Sequence, residues 1–273
     1  MQDEIQKRQR IRIYLRNSVR GGIVMAQNQC IFEYSNFGNG YLRIYFLKDN
    51  KQTDKEIFID LEAHPLKDGV VAQIEPLVET IKKKLKELDI KKLQSPLLLL
   101  RCAEIYKNSL FLPVKSSFQA NSLYKKEMKL KTNQDSFVPI SNSYKSGIGY
   151  MFNTYYIPNK IVESFNKIEK LLNTEFVGVQ PLGMFLGEKL AYKGTYVYFY
   201  IKEKVCTMIM VSDKELVTSY DFEFETEKEI LSRFLLVASK HEFDVEKKQI
   251  EYYDIDSDEP IFVNFGIKRI ENK

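Results

Sequence analysis

Residues 153–224 constrain the fold more than any other part of this chain. Their hydrophobic pattern predicts a strand, a helix, a second strand and a second helix, followed by three short strands in succession. The first of these three strands, residues 196–201, is apolar on both faces: three tyrosines alternate with Val197, Phe199 and Ile201. A strand of this kind lies inside a sheet that is covered on both sides. The segment therefore predicts an α/β architecture.

The rest of the chain extends this architecture in both directions. Alternating or continuous apolar runs predict further strands at residues 7–16, 23–26, 30–34, 41–47, 57–61, 96–101, 106–114 and 261–267. Apolar residues spaced by three and four predict helices at residues 70–88, 116–131, 159–172, 181–191 and 225–239. Pro76 either kinks the first helix or lies in its first turn. Polar composition predicts loops at residues 48–55, 132–144 and 251–259.

Composition excludes several broad classes of protein. The 41 basic and 37 acidic residues nearly balance, so no general polyelectrolyte partner is expected. The three cysteines lie far apart without a CxxC pair, which argues against a disulfide framework or a thiolate zinc site and favours a reducing compartment. The sequence has neither an apolar signal-peptide core nor a long apolar run. We expect a cytoplasmic protein, with peripheral attachment to the inner membrane through partners left open.

Motifs of catalysis and metal binding are missing from the sequence. It contains no HExxH, GxSxG or Walker pattern. The glycine pairs at residues 38–40 and 147–149 are interpreted as turns, and His64 and His241 as surface or capping residues. The acidic run at residues 254–259 resembles the opening of a calcium loop, but Glu259 and Phe265 occupy its sixth and twelfth positions. We therefore expect no catalytic residue, cofactor or metal.

A strand with one basic face is the best candidate for a binding surface. In residues 7–16, one face carries Arg8, Arg10, Arg12, Tyr14 and Arg16. Side chains two residues apart on a strand are about 6.6 Å apart, near the spacing of successive phosphates. The face could bind nucleic acid, with the tyrosine stacking on a base, or anionic lipid headgroups. The favoured interpretation is an exposed strand that charge protects from edge-to-edge aggregation.

The order of elements also resembles a known family. Four segments carry the likeness: the helix at residues 160–173, the strand EFVGVQ, the helix after Pro181 and the meander TYVYFYIKEKVCTMIMVSDKELVTSYDF. Their layout is similar to actin-like PilM-type pilus-assembly proteins and to the cytoplasmic part of GspL-type secretion proteins, relatives of FtsA. The segment LKELDIKKLQSPLLLL followed by LFLP resembles their first lobe. The resemblance covers roughly residues 70–239.

This resemblance implies a docking platform without nucleotide. ATP-binding members carry an Asp-x-Gly loop at the first hairpin of each lobe, where aspartate organises a metal and glycine admits phosphate. Here the second-lobe turn is Lys-Glu-Lys at residues 202–204, and the early turns at residues 17–18 and 27–28 also lack the motif. Only Thr207 could take the place of the family's hydroxyl. The resemblance therefore implies a member that has lost nucleotide binding.

These observations predict an α/β fold of two-lobed, actin-like (ribonuclease H-like) mixed sheets flanked by helices. Residues 1–190 would form the first lobe with an inserted subdomain, and residues 191–273 a reduced second lobe. The predicted function is that of a non-enzymatic cytoplasmic scaffold of a pilus or secretion-type machine, which binds segments of partner proteins. The alternatives are a nucleic-acid-associated protein that uses the arginine strand and an actin-like ATPase with atypical loops.

Overall fold

The chain forms two compact units, residues 1–181 and residues 182–273. The computed structural model describes residues 28–48, 51–131, 136–190, 196–212, 215–240, 251–254 and 268–269. The boundary between the units lies at Pro181, whereas the sequence analysis placed it after residue 190. The helix at residues 182–190 packs on strands of the second unit, which is why the boundary precedes it.

The first unit contains three helices and ten strands among its described residues. Its strands are β1 Asn28–Ser35, β2 Tyr41–Lys48, β3 Lys51–Asp60, β4 Leu66–Lys67, β5 Val70–Val71, β6 Leu97–Arg101, β7 Tyr106–Leu112, β8 Phe137–Ser146, β9 Gly149–Pro158 and β10 Gly178–Pro181. Its helices are α1 Ile74–Glu87, α2 Ser117–Lys131 and α3 Asn159–Leu172. A short 3-10 turn, Leu61–Ala63, follows β3.

The main sheet of this unit has the strand order β10-β6-β1-β2-β3. β1, β2 and β3 form an antiparallel meander, whereas β6 and β10 run parallel to β1. One face of the sheet is apolar and aromatic. Phe176 packs edge-on against Phe32 with ring centroids 5.0 Å apart, and Phe165 of α3 packs on Tyr34 at 5.1 Å. These contacts fix α3 on the sheet because α3 directs its apolar stripe towards them.

The other face of the main sheet buries a network of charges. Tyr41 Oη donates to Glu33 Oε1 at 2.6 Å and accepts from Arg101 Nη1 at 2.8 Å. Arg43 reaches Glu56 with two hydrogen bonds of 2.7 Å and lies 3.7 Å from Glu33. Glu33 and Arg101 are wholly buried. Isolated charges here would be strongly unfavourable, so the residues of this network depend on one another.

The inserted subdomain is a three-stranded antiparallel sheet of order β7-β9-β8, covered on one face by α2. It lies between β6 and α3 in the sequence. Tyr124 of α2 stacks on Phe152 with ring centroids 4.3 Å apart and shares a hydrogen bond of 2.7 Å with Thr154. One aromatic side chain thus provides both the apolar and the polar contact that seat the helix.

The second unit repeats the strand order of the main sheet. Its elements are α4 Leu182–Leu190, β11 Tyr196–Lys202, β12 Val205–Ser212, β13 Glu215–Glu223, α5 Glu227–Lys240, β14 Glu251–Asp254 and β15 Lys268–Arg269. The sheet order is β13-β12-β11-β14-β15, with an antiparallel meander and two parallel strands. The lobe was predicted to be reduced. Its five-strand order is nevertheless complete, although β14 and β15 have only four and two residues.

Helices cover both faces of this second sheet. On one face, Phe234 of α5 packs edge-on against Phe199 with ring centroids 5.8 Å apart. On the other face, α4 approaches the strands closely at Gly183, where an added Cβ would lie 2.5 Å from that of Ser219. The prediction of a central strand at residues 196–201 is confirmed, because β11 lies between β12 and β14.

Two segments predicted as loops are strands at sheet edges. β3 begins at Lys51 and β8 spans Phe137–Ser146, where loops were predicted at residues 48–55 and 132–144. Each is the last strand of its sheet. An edge strand pairs on one side only and tolerates polar side chains and proline, so its hydrophobic alternation is weak.

Two further boundaries differ from the sequence analysis. Glu251–Asp254, predicted as the start of a loop, pairs in parallel with β11 through Tyr253 and Asp254. α1 begins at Ile74, because Val70–Val71 pairs with Leu66–Lys67. Pro76 consequently lies in the first turn of the helix, one of the two positions considered for it.

The cysteines and the helices bear on two further expectations from the sequence. Cys30, Cys102 and Cys206 are all buried and form no disulfide with one another, and burial raises the pKa of the Cys30 thiol. None of the helices within the described ranges is long and apolar enough to span a bilayer.

The charge network predicts a measurable effect of removing one hydroxyl. In a Tyr41→Phe variant, Glu33 and Arg101 lose their shared hydrogen-bonding partner inside the sheet. We expect the free energy of unfolding in urea to fall by about 1–3 kcal/mol. Tyr150→Phe is the control, because the Tyr150 ring is half-buried and its hydroxyl bonds to no described residue; we expect a change of less than about 0.5 kcal/mol. Equal stability of both variants would contradict the network.

Candidate functional site

The hairpin between β1 and β2 is the position at which the resemblance places a phosphate loop in the first lobe. It runs from Asn36 to Gly40, between the paired residues Ser35 and Tyr41. Gly38 and Gly40 have φ angles of 54° and 74°, which glycine adopts without steric cost. An added Cβ at Gly40 would lie 2.9 Å from the Ser35 carbonyl oxygen. The glycines therefore serve the turn itself.

Asn36 occupies the place of the motif's aspartate, and its side chain is engaged within the fold. Its Nδ2 donates to the Gly69 carbonyl at 3.1 Å and to the Glu104 carboxylate. Its Oδ1 accepts from the Ala103 backbone N–H at 3.0 Å. Its own backbone N–H donates to the Arg101 carbonyl at 3.2 Å. The amide thus joins the hairpin to the segment after β6 and to the β4–β5 turn.

An aspartate at position 36 could not make the same hydrogen bonds as this amide. The Glu104 carboxylate and the Gly69 carbonyl both require a donor, which Asn36 supplies through Nδ2. A carboxylate at that position would direct negative charge at both acceptors. The local hydrogen bonds therefore favour a neutral amide and leave it no free donor for a phosphate or a metal-bound water.

The corresponding hairpin of the second unit is a tight turn without glycine. Glu203 and Lys204 lie between the paired residues Lys202 and Val205, and their φ angles are 49° and 58°. A two-residue turn with two positive φ angles usually contains Asn-Gly, because side chains with a Cβ disfavour this region. Both side chains are exposed, and Lys204 pairs with Glu225 at 3.5 Å. Two bulky charged residues thus stand where phosphate-binding members have glycine.

Thr207, the candidate for the family's hydroxyl, is fully buried and already hydrogen-bonded. Its Oγ1 donates to Asp221 Oδ1 at 2.6 Å across the β12–β13 pair. Its methyl group would lie 3.0 Å from an added Cβ at Gly183 of α4. The hydroxyl is therefore engaged between β12 and β13, while the methyl group packs against α4.

The sequence analysis located one of the two hairpins correctly. The second-unit turn lies at residues 202–204 as predicted. The first-unit turn was sought at residues 17–18 or 27–28, but Asn28 begins β1 and the turn follows at residues 36–40. The signal that would have found it was Asn36-x-Gly38, which differs from the family motif by one amide.

Other predicted candidates fall in different places. Arg8, Arg10, Arg12, Tyr14 and Arg16 lie outside the described residues, so the arginine face stays a prediction. His64, expected to be a surface or capping residue, is buried, and its backbone N–H caps the 3-10 turn by donating to the Leu61 carbonyl at 2.8 Å. No group of three metal-ligating side chains occurs in the described ranges.

The inserted subdomain exposes apolar side chains that the sequence analysis did not identify. Phe118 in the first turn of α2 is 84% exposed, and Ile148 in the β8–β9 turn is 74% exposed. Phe111 of β7 is 42% exposed and touches Gly149 beside Ile148. Among the described strands, β7 has a neighbour only on its β9 side. Phe111 pairs with Met151 and so lies on the face of the sheet away from α2, whose Tyr124 stacks on Phe152. We call Phe111 and Ile148 the apolar surface of the subdomain.

Comparison with known proteins bears on the fold. No protein-family model matches the sequence, and no curated protein matches it. Among solved structures, the PilM–PilN type IV pilus biogenesis complex is similar, with a TM-score of 0.56, 10% identity and coverage of 89% of this chain and 88% of that chain.

Two further structures have lower scores. A protein of actin-like ATPase fold and unknown function from Bacteroides thetaiotaomicron gives a TM-score of 0.45 at 11% identity, covering 89% of this chain and 84% of that one. The cytoplasmic domain of EpsL, an inner membrane component of the Vibrio cholerae type II secretion system, gives 0.48 at 11% identity, with coverage of 83% and 81%. The strand order repeated in both units, together with the likeness to the pilus complex, shows that this chain has an actin-like fold.

Proposed function

We propose that this protein is a non-enzymatic scaffold that binds segments of partner proteins, as a cytoplasmic component of a pilus or secretion-type machine. The observation that carries the proposal is that side chains occupy both hairpins at which the resemblance places phosphate loops. Asn36 is engaged by the fold in one, and Glu203 and Lys204 fill the other. These hairpins best support a scaffold whose surfaces bind other proteins.

Phosphate binding in such loops needs free backbone N–H groups and a carboxylate for the metal. In the first hairpin, the Gly40 N–H already donates to the Phe37 carbonyl at 2.9 Å, and the Phe37 N–H points to Ser35 Oγ at 3.4 Å. The residue in the aspartate position is an amide with two hydrogen-bonded partners for its donor group. These contacts occupy two backbone N–H groups and the side-chain amide of the hairpin, and so support a turn that does not hold a triphosphate.

The partner surface of this proposal is the inserted subdomain. An unpaired strand edge can accept an extended segment, whose backbone then continues the sheet while apolar side chains give specificity. Among the described strands β7 offers such an edge; Phe111 lies on it and Ile148 lies in the adjoining turn. The similar pilus structure is itself a complex of PilM with PilN. A contiguous exposed apolar surface is typical of interaction sites.

Nucleotide binding gives the first test. We expect magnesium and ATP to leave the thermal unfolding midpoint unchanged, because neither hairpin retains a phosphate grip. A ligand at a hundred times its dissociation constant would add about 2.7 kcal/mol of stability, which is readily measured. A rise that requires both ATP and magnesium and vanishes with EDTA would contradict the proposal and favour the actin-like ATPase alternative.

Partner capture gives the second test. We expect tagged protein to retain a specific protein from native lysate and expect Phe111→Asp/Ile148→Asp to reduce its retention by at least about tenfold, because hot spots of an interface are buried apolar anchors. Leu236→Asp on α5 is the matched control, since Leu236 is 72% exposed in the other unit. Circular dichroism confirms that each variant is folded. Equal retention by both variants would remove the subdomain from the proposal.

A further inference from the structure

A groove lies at the end of the first unit where α1 and α3 terminate. Its volume is about 1110 Å³, and it is lined by the α1–β6 loop, the start of β6 and the segment between α3 and β10. The apolar part of its lining comprises Leu85, Ile90, Leu93, Pro96, Leu172 and Val177. Val177 is 36% exposed, whereas Leu85 and Leu93 are nearly buried. The groove therefore has an apolar floor that is open to a partner.

The rim of the groove is basic. Lys82, Lys86, Lys91 and Lys92 line it, against the two acidic residues Asp89 and Glu175. Lys82 pairs with Glu79 at 2.9 Å. The other three lysines are exposed, and no ion pair joins them to any residue in the described ranges. Their charges are consequently available to an anionic partner.

The helix dipole explains only part of this charge. A cation in the last turn of a helix is stabilised by the carbonyl ends, which accounts for Lys86 in the last turn of α1. Lys91 and Lys92 lie beyond the end of the helix at Glu87, where this effect has fallen off. The carbonyl of Leu88 already accepts from Lys55 Nζ at 2.9 Å. Two of the rim lysines thus have no role in capping the helix.

The backbone around the groove has a fixed shape. Asp89, Ser95 and Asn173 line it, and their φ angles of 51°, 43° and 50° lie in the left-handed region. Such a conformation costs roughly 1 kcal/mol per non-glycine residue and marks strained, often functional, positions. The Val177 N–H also donates to the Pro96 carbonyl at 2.8 Å, which holds the two sides together. A groove built in advance lowers the entropy cost of binding.

We propose that this groove binds an acidic segment of a partner protein whose apolar side chains alternate with carboxylates. The carboxylates pair with Lys86, Lys91 and Lys92, and the apolar side chains lie on the floor. This site is separate from the apolar surface of the inserted subdomain and does not depend on it. A nucleic acid fits less well, because the lining residues include no aromatic side chain for base stacking.

Fluorescence anisotropy with defined probes tests this inference on the full chain. The first probe is a labelled peptide that alternates glutamate with leucine, the second alternates lysine with leucine, and the third is oligothymidine. We expect only the glutamate peptide to bind, with an affinity that falls as salt increases. A Lys86→Glu/Lys91→Glu/Lys92→Glu variant should weaken that binding by about tenfold or more, since three attractive charge pairs become repulsive.

The matched control is Lys115→Glu/Lys125→Glu/Lys126→Glu, which changes the net charge equally at three exposed lysines of the same unit. We expect this variant to bind the glutamate peptide as the unmodified chain does. Equal loss of binding in both variants would mean general charge attraction and would overturn the site. Absence of binding to the glutamate peptide, or equally tight binding of oligothymidine, would overturn the proposed partner. Neither outcome alters the expected result with ATP and magnesium.

Discussion

The side chain of Asn36 is the interaction on which this account of the protein depends. Its amide hydrogen-bonds to the Gly69 carbonyl, the Glu104 carboxylate and the Ala103 N–H. These bonds join the β1–β2 hairpin to the β4–β5 turn and to the segment after β6. The same hydrogen bonds remove that residue from any contact with phosphate. The side chain at the position where an ATP-binding relative would present a carboxylate to a metal is thus directed into the fold.

Both units use their sheets in a comparable way. Each sheet directs an aromatic, apolar face towards helices and carries polar groups on the other face: the Glu33–Tyr41–Arg101 network in the first unit and the Thr207–Asp221 bond in the second. Buried polar groups of this kind are costly alone and favourable only as complete sets. They specify one register for the strands. Strands held in one register are a suitable support for surface features of the first unit such as the apolar surface and the groove between α1 and α3.

The sequence predicted the architecture well where hydrophobic periodicity was strong. β11 and β12 are apolar on both faces, and α1 and α3 have clear apolar stripes, so both their type and their position followed from the residues. β3 and β8 were missed because edge strands pair on one side and keep polar side chains. The first-unit hairpin was missed because its motif carries Asn36 instead of aspartate. The groove combines residues 82–96 with residues 172–177, and only the fold brings those segments together.

The most direct test of the central claim is an Asn36→Asp variant, examined for stability and for binding of ATP with magnesium. This change restores the carboxylate of the family motif. Because the new side chain cannot donate to Gly69 or Glu104, we expect the free energy of unfolding to fall by about 1–3 kcal/mol and expect no binding of nucleotide. A variant that remains as stable as the natural chain and acquires magnesium-dependent ATP binding would contradict the claim that the amide serves the fold and that nucleotide binding is lost.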